Sequence, residues 1–439
     1  YKTSLEDDVV GKSRTSSADN FITDSAAGGT AVFSGVKTLN NMVGVDSSST
    51  PRGTILEAAK AAGYITGVIT TSFVWDASPA GLNAHSTNRE DSSFIAQQQL
   101  GLDGYPLGRT TDILLGGGLC AYIPESEEDS CRTDERDLLN ETMGLWNVVF
   151  TPDELSAADA LPLLGLFATE DLAYAIDRPD SQPGLAAMVN KALELLTAAT
   201  ADSDQGFFLF FENEVTDKAQ HANDIVGTVS AGLELSETAE LVKEWVTVLE
   251  ERGDDTLFLL TADHETGGLG LGTNARSPIV EYTYGFNPFV IANASHSSTY
   301  TTILLYAATA EGNLTLDQVH QVVADNMALQ YFSDDEANVI IEAANTGDVY
   351  SILAALNAAV NSRVQVGWTT MGHTAVDVDI YCSNNPYCSA FYGSHENTEL
   401  LELMLGFYDD DDIDVGSVTE ALVGFNATAS VDGSAEYVV

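Results

Sequence analysis

Five short groups of residues carry side chains suited to chemistry, and the richest follows the run Phe207–Phe211 in FFLFFENEVTDKAQH. Asp217 and His221 are four apart, so one helical turn places a carboxylate and an imidazole on the same face. Glu212 stands immediately after the apolar run. Five consecutive apolar residues read as a fully buried strand, and ligands of open α/β sheets bind at the C-terminal ends of strands. A solvated helix face is the competing reading of Asp-x-x-x-His; the strand and Glu212 favour half of a metal site.

The second group is Thr261-Ala262-Asp263-His264, directly after Leu257–Leu260, where the alternative is a satisfied core histidine. The third is Asp76-Ala77-Ser78-Pro79, a few residues past the apolar stretch Tyr64–Thr70. Asp76 and Ser78 offer two oxygen ligands suited to a hard cation such as magnesium. His85 and Arg89 follow, and the planar fork of Arg89 is shaped to hold two phosphate oxygens. An Asx turn and a surface arginine are the plain alternatives. The fourth is Ser25 in TDSAAGGTA, where Asp24 and Ser25 precede a run of small residues that packs closely as a helix. Backbone N–H groups and the helix dipole favour negative charge there, which would stabilise a serine alkoxide; an ordinary N-cap serine is the alternative. The fifth is His373 in a strand-like stretch, weak alone. Together, three histidines with several carboxylates are ligand types for zinc and magnesium. A serine, an arginine and two or three metals make a site for phosphoryl transfer.

The segments that must hold these groups share one grammar. LEAAKAA, a turn at Gly63 and YITGVIT read as helix, turn, strand. The pattern recurs from Leu185 to Phe211 and from Ser236 to Ala262, where a helix ending at Gly253 leads into DTLFLLTADH. Helices alternating with apolar strands predict an α/β three-layer sandwich around a large, mostly parallel sheet covered on both faces. Glu125–Pro179 reads as an acidic surface insertion, Gly267–Ser298 as loop, Thr309–Ala359 as a polar helical insertion, and Val364–Tyr381 as strand-like. The expectation is one domain over residues 1–439, with insertions at about 120–180 and 309–360.

The 439 residues carry 17 Lys and Arg against 66 Asp and Glu, a net charge of −49. That balance excludes nucleic-acid binding through phosphate contacts, and any anion site must supply its own positive charge. No apolar run reaches the ~18 residues of a membrane span. Four cysteines fall into two local pairs, Cys120 with Cys131 and Cys382 with Cys388, which suits disulfides in an oxidising compartment. Zinc binding by these cysteines is the alternative, but their spacings match no zinc motif. Sequons at Asn140, Asn293, Asn313 and Asn426 are candidate N-glycan sites and favour a secretory or vacuolar route.

Taken in order, the motifs resemble those of the alkaline phosphatase family. TDSAAGGTA is similar to its nucleophile motif, and DASP, ENEVTDKAQH, TADHE and GHTAVDV are similar to its metal motifs. TILEAAKAAGYITG and GYPLGRTTDILLGGG look most like the fungal vacuolar-type branch, and the resemblance runs from about Val10 to Tyr381. It implies hydrolysis of small phosphate monoesters through a phosphoserine at Ser25, with two Zn2+ and one Mg2+ per chain. It implies that Asp217, His221 and His373 hold the zinc of the leaving-group oxygen, and Asp263 and His264 the zinc that activates Ser25. Asp76, Ser78 and Glu212 would hold magnesium, Arg89 would clamp the phosphate, and Lys218 would add positive charge. A homodimer, in a vacuolar lumen or secreted, also follows from the resemblance. A phosphodiesterase or sulfatase-like hydrolase is the alternative within the superfamily. An acidic extracellular glycoprotein with a damaged site and a structural role is the alternative outside it. The family's first strand bears an aspartate in an Asp-Gly-Met-like motif that does not occur here. Asp7 and Asp8 follow no apolar strand, so the expectation is a further strand ahead of Tyr1.

Overall fold

The computed structural model describes residues 5, 8–102, 104–203, 205–272, 285–383, 385–408 and 413–428. Its strands are β1 (Val9–Arg14), β2 (Ile65–Phe73), β3 (Ile113–Gly117), β4 (Asn147–Val149), β5 (Leu163–Leu166), β6 (Phe207–Glu212) and β7 (Phe258–Leu260). They continue with β8 (Glu265–Thr266), β9 (Gly270–Leu271), β10 (Val366–Gly367), β11 (His373–Thr374), β12 (Val378–Ser383) and β13 (Gly393–Glu396).

The first two expected helix, turn, strand units form as read, each for a local reason, whereas the helix of the third starts earlier, at Ile225, and its strand is only Phe258–Leu260. Thr54 caps the helix Ile55–Ala61 in a reciprocal capping box with Glu57, which satisfies two otherwise orphaned donors. Gly63, at φ +95°, then turns the chain into β2. Leu185, Met188, Val189, Ala192, Leu193 and Leu196 make one buried face of the helix Leu185–Ala199 before β6. The helix Ile225–Arg252 stops at Gly253 in the left-handed conformation, which glycine adopts without a Cβ clash.

Five strands, in the order β4-β5-β3-β2-β6, pair in parallel. Side chains alternate across this sheet. Val68, Leu114 and Leu164 pack with Ile55 and Leu56 on one face. Ile69, Ile113, Leu115 and Leu163 pack on the other with the helices Leu185–Ala199 and Ile225–Arg252. Each fully buried aliphatic side chain contributes about 1.5–3 kcal/mol, and burial of both faces is what a parallel sheet requires. A second, mixed sheet has the order β13-β1-β12-β7. Two short ribbons, β9 with β10 and β8 with β11, complete the pairing. Helices between Phe289 and Val364 close around their own apolar cluster, with Leu305, Val323, Ile340 and Leu356 at its centre.

Several expectations need correction. The run Phe207–Phe211 is a strand but is half-buried, because among the described residues β6 ends the parallel sheet and pairs only with β2. β7, which leads to Asp263, is not its neighbour; it lies in the mixed sheet. The stretch Glu125–Pro179 is not wholly peripheral, since β4 and β5 extend the main sheet. Gly267–Ser298 holds β9 and a helix at Phe289–Asn293, and residues 273–284 of it lie outside the described residues. The strand-like stretch Val364–Tyr381 is broken into β10, β11 and the start of β12. Thr309–Ala359 is helical as expected, through Leu316–Met327, Asp334–Ala344 and Val349–Val364. Both expected disulfides are formed, Cys120–Cys131 and Cys382–Cys388. Among the described residues no helix is long and apolar enough to cross a membrane.

Candidate active site

Ser25 opens the helix Ser25–Ser34, every residue of which is buried, and Asp24 caps it by accepting from Ala27 N at 2.9 Å. The small residues let this helix touch its surroundings closely: a Cβ on Gly28 would lie 3.1 Å from Asp263 Cβ. Ser25 is 4% exposed, and its Oγ lies 2.9 Å from His264 Nε2. The same nitrogen is 3.2 Å from Asp263 Oδ2. That carboxylate oxygen is buried and has no hydrogen-bond partner among the described residues. A hydroxyl, an imidazole nitrogen and an orphaned carboxylate oxygen thus converge.

The β8–β11 ribbon sets His373 opposite Thr266, two residues beyond His264. The rings of His264 and His373 stack at 3.5 Å. The Thr266 hydroxyl donates to Asp217 Oδ1 and also lies 3.2 Å from His264 Nδ1. Asp217 and His221 share one turn of the helix Val215–His221, with His221 Nε2 3.2 Å from Asp217 Oδ2. Ligand atoms of Asp217, His264 and His373 all lie within 4.8 Å of one another.

The two outer histidines are oriented alike. His373 Nδ1 faces Thr23 O at 2.7 Å, and His221 Nδ1 faces Met371 O. A carbonyl only accepts, so these contacts assign the proton of each neutral ring to Nδ1. Both Nε2 lone pairs then face each other at 3.0 Å. Neutral rings repel in that arrangement, and a cation between them removes the repulsion. Backbone carbonyls on the far nitrogen are the usual way of fixing a metal-binding histidine.

A second set of oxygens lies at the ends of β2 and β6. Glu212 closes β6 opposite Thr70 of β2, whose hydroxyl donates to Glu212 Oε2 at 2.8 Å. Burial raises the Glu212 carboxyl to about 8, although hydrogen bonds from Thr70 and Ser78 oppose the rise. Asp76 caps the helix Ala77–Asn83, which carries Ser78 on its first turn. Burial would raise Asp76 too, but Lys218 and Arg89 beside it hold it down at about 2. Lys218 Nζ is 3.3 Å from Asp76 Oδ2 and lies over the Phe73 ring. It is therefore engaged by Asp76 while remaining partly exposed. Arg89 Nη2 donates to Asp76 Oδ1 at 2.9 Å, and its Nη1 is 3.4 Å from Asp24 Oδ2. His85 turns away into the core, where it meets Glu57 and Gly44 O.

The structure thus gathers Ser25, Asp76, Ser78, Arg89, Glu212, Asp217, Lys218, His221, Asp263, His264 and His373 through direct contacts. Sequence reasoning missed the residues that orient them. Thr266 lies two residues beyond His264 and contacts its Nδ1, a spacing visible in TADHET. Ser72 Oγ lies 2.8 Å from Asp76 Oδ2 and 2.7 Å from Asp171 Oδ1. Nothing local marks Asp171. Glu214 is buried among Glu212, Asp217 and Asp76, and burial raises its carboxyl first, those neighbours next. Carboxylates here outnumber Arg89 and Lys218, and the donor set of imidazole nitrogens and carboxylate oxygens fits divalent cations.

The family model described as alkaline phosphatase matches residues 2–408. The alkaline phosphatase of Schizosaccharomyces pombe is 38% identical over 429 residues, covering 96% of this chain and 77% of that protein. The repressible alkaline phosphatase of Saccharomyces cerevisiae is 34% identical over 458 residues, covering 98% of this chain and 79% of that protein. The crystal structure of a cold-active alkaline phosphatase from the psychrophile Shewanella sp. superposes with a TM-score of 0.77 at 28% identity, covering 92% of this chain and 91% of that one.

Proposed function

The chain belongs to the alkaline phosphatase family, and from that premise we propose that it hydrolyses phosphate monoesters through a phosphoserine formed at Ser25. The observation that carries the reading is the Ser25 hydroxyl, buried at a helix N-terminus and 2.9 Å from His264 Nε2. The Arg89 guanidinium lies on the same side, beside Asp24, which caps that helix.

Family enzymes are metal-dependent, and the residues here fit two zinc ions and one magnesium ion. Asp217, His221 and His373 would hold one zinc, Asp263 and His264 the other, and Asp76, Ser78 and Glu212 the magnesium. When bound, such ions stabilise the attacking and leaving oxygens of an in-line displacement and lower the pKa of a water. The chain's own residues do the rest. Ser25 Oγ loses its proton and bonds to phosphorus as the bond to the leaving oxygen breaks, and the released alcohol takes up a proton. Water then attacks phosphorus, the bond to Oγ breaks, and one proton of that water passes to Oγ as phosphate leaves. Arg89 holds two non-bridging oxygens through its fork. Lys218 acts through Asp76, keeping that carboxylate ionised. Thr266 and the carbonyls of Thr23 and Met371 keep the imidazoles turned inward.

The whole chain is read as one such domain, with a helical addition at about 309–360. The four sequon asparagines are all exposed, which suits N-glycans on a lumenal or secreted enzyme, and a homodimer is the assembly proposed. The test is an acid quench of the holoenzyme turning over a labelled aryl phosphate, followed by peptide mapping. Label on the Ser25 peptide is expected. Turnover without label there would overturn the mechanism. A faster rate on the bis-aryl diester than on the monoester would favour the phosphodiesterase alternative.

A further inference from the structure

The family model's match ends at residue 408, yet the segment Ile413–Thr428 folds back against the chain on both sides of Arg89. Ile413, Val418 and Leu422 are buried with Ala58, Ala59 and Tyr105. Gly53 N donates to Thr419 Oγ1 at 2.9 Å, which fixes the short helix Val415–Ala421 against the N-terminal end of Ile55–Ala61. Beyond it, the Phe425 ring stacks on Phe94 at 6.0 Å with planes 9° apart. It also meets Tyr105 edge-on at 5.4 Å and His85 at 6.5 Å. Ala427 is 2% exposed, and its carbonyl accepts from Thr87 N at 3.0 Å. His85 and Thr87 precede Arg89, and Phe94 follows it.

The same loop is held from the opposite side. Val43 bridges to Ser86, and Arg89 N donates to Asn41 O at 2.9 Å. Asn41 N in turn donates to Asp24 Oδ2 at 2.8 Å, which ties the loop to the Ser25 helix. Beneath it, His85 is locked between Glu57 and Gly44 O, and Tyr105 donates to the same Glu57 oxygen at 2.7 Å. The Arg89 backbone is therefore a short bridge with the Ser25 side as one abutment and the C-terminal segment as the other.

We propose that Ile413–Thr428 is a positioning strap for Arg89, through Phe425 and the Ala427 carbonyl, so that phosphate affinity as well as folding depends on it. The proposal rests on the reading of Arg89 as the phosphate clamp. A two-pronged contact tolerates little displacement: a 1 Å error in a positioning group costs on the order of 10²-fold. A strap that loosens without leaving shifts the fork by a fraction of that.

The test uses the full-length, metal-loaded protein well below its thermal midpoint. Phe425→Ala is expected to raise the inhibition constant of inorganic phosphate and the KM for an aryl phosphate together, on the order of 3–10-fold, with kcat within about twofold. Phe425→Leu, which keeps the apolar cover, should recover most of the affinity. In an Arg89→Ala background, Phe425→Ala should add nothing, because coupled residues are not additive. Unchanged phosphate inhibition with a lowered thermal midpoint would make the segment a structural element only. Tighter inhibition would make it an occluding one, and additive losses would route its effect elsewhere than Arg89; each of these overturns the proposal. If Arg89→Ala itself leaves phosphate inhibition unchanged, the clamp reading fails and the strap with it, an outcome recognisable from that single variant.

Discussion

The Arg89 side of the site and the histidine side are finished in different ways. Around Arg89, protein groups answer one another: the guanidinium bonds to Asp76 and lies beside Asp24, Asp24 also caps the serine helix, and Lys218 and Ser72 take the remaining oxygen of Asp76. Around the histidines, the Nε2 atoms of His221 and His373 face each other at 3.0 Å, and among the described residues Asp263 Oδ2 is buried without a hydrogen bond. A buried polar atom left unpaired costs about 1–3 kcal/mol. On the first side the guanidinium and ammonium groups of the protein balance the carboxylates of Asp24 and Asp76, whereas on the second the proposed zinc ions would supply the missing partners. Ser25 stands on the boundary, capped from one side and facing His264 on the other.

Removing the cations should break the contrast most severely. Dialysis against a strong chelator is expected to abolish turnover and lower the thermal midpoint, with zinc and magnesium together restoring both. Full activity in protein shown by elemental analysis to be metal-free would refute the division. Ser25→Ala comes next. Turnover should fall by orders of magnitude, since removing a nucleophile disables the whole constellation, while zinc content stays at the wild-type level. Loss of zinc in that variant would mean that the two sides do not form independently.

A smaller, more selective effect is expected from His373→Ala. Equilibrium dialysis should show weakened zinc binding, because one of the opposed Nε2 atoms is gone. Arg89→Ala should leave zinc binding intact and weaken inorganic phosphate binding by about 10–100-fold, the worth of hydrogen bonds to a charged group. If both variants lose zinc equally, the comparison collapses.

The smallest effect lies away from both sides, in the helical cluster. Arg363 grips Glu336 through both nitrogens, at 2.7 and 2.8 Å, and its hydrogen bond is the main reason that the Glu336 carboxyl is lowered to about 2. A carboxylate lowered in the folded state adds stability that is fully present above its unfolded value, near 4.5, and is lost as pH falls towards 2. Thermal midpoints measured from pH 6 down to pH 2.5 should therefore fall less steeply for Glu336→Gln than for the wild type. Turnover at alkaline pH should not change. Parallel midpoint curves would show that the pair contributes nothing measurable, a common result for partly exposed ion pairs.

What was legible in the sequence was whatever a few consecutive residues encode. Asp217 and His221 share a face because they are one turn apart, and Asp76 and Ser78 read as paired oxygen donors just past a strand, although the helix that begins between them did not. The opposition of His221 and His373 was not legible, because it depends on β8 pairing with β11 across a long separation. Nor was the position of β6. Five apolar residues read alike in the middle of a sheet and at its end, because periodicity reports faces and not neighbours. β4 and β5, at three and four residues, are too short for any pattern and passed for irregular chain. The strap was hidden for a related reason: Phe425 is a lone aromatic in a polar stretch, and only its contacts with Phe94, Tyr105 and His85 give it meaning.

The contact between Gly28 and Asp263 bears on evolution at this site as well as on packing. The serine helix is buried along its whole length and has no room to retreat. A methyl at Gly28 must therefore displace Asp263, whose Cβ would sit 3.1 Å away, by a few tenths of an ångström. The clearance between the serine helix and Asp263 is thus gauged by a missing side chain. A substitution at position 28 would move Asp263 while leaving the identity of every proposed site residue unchanged.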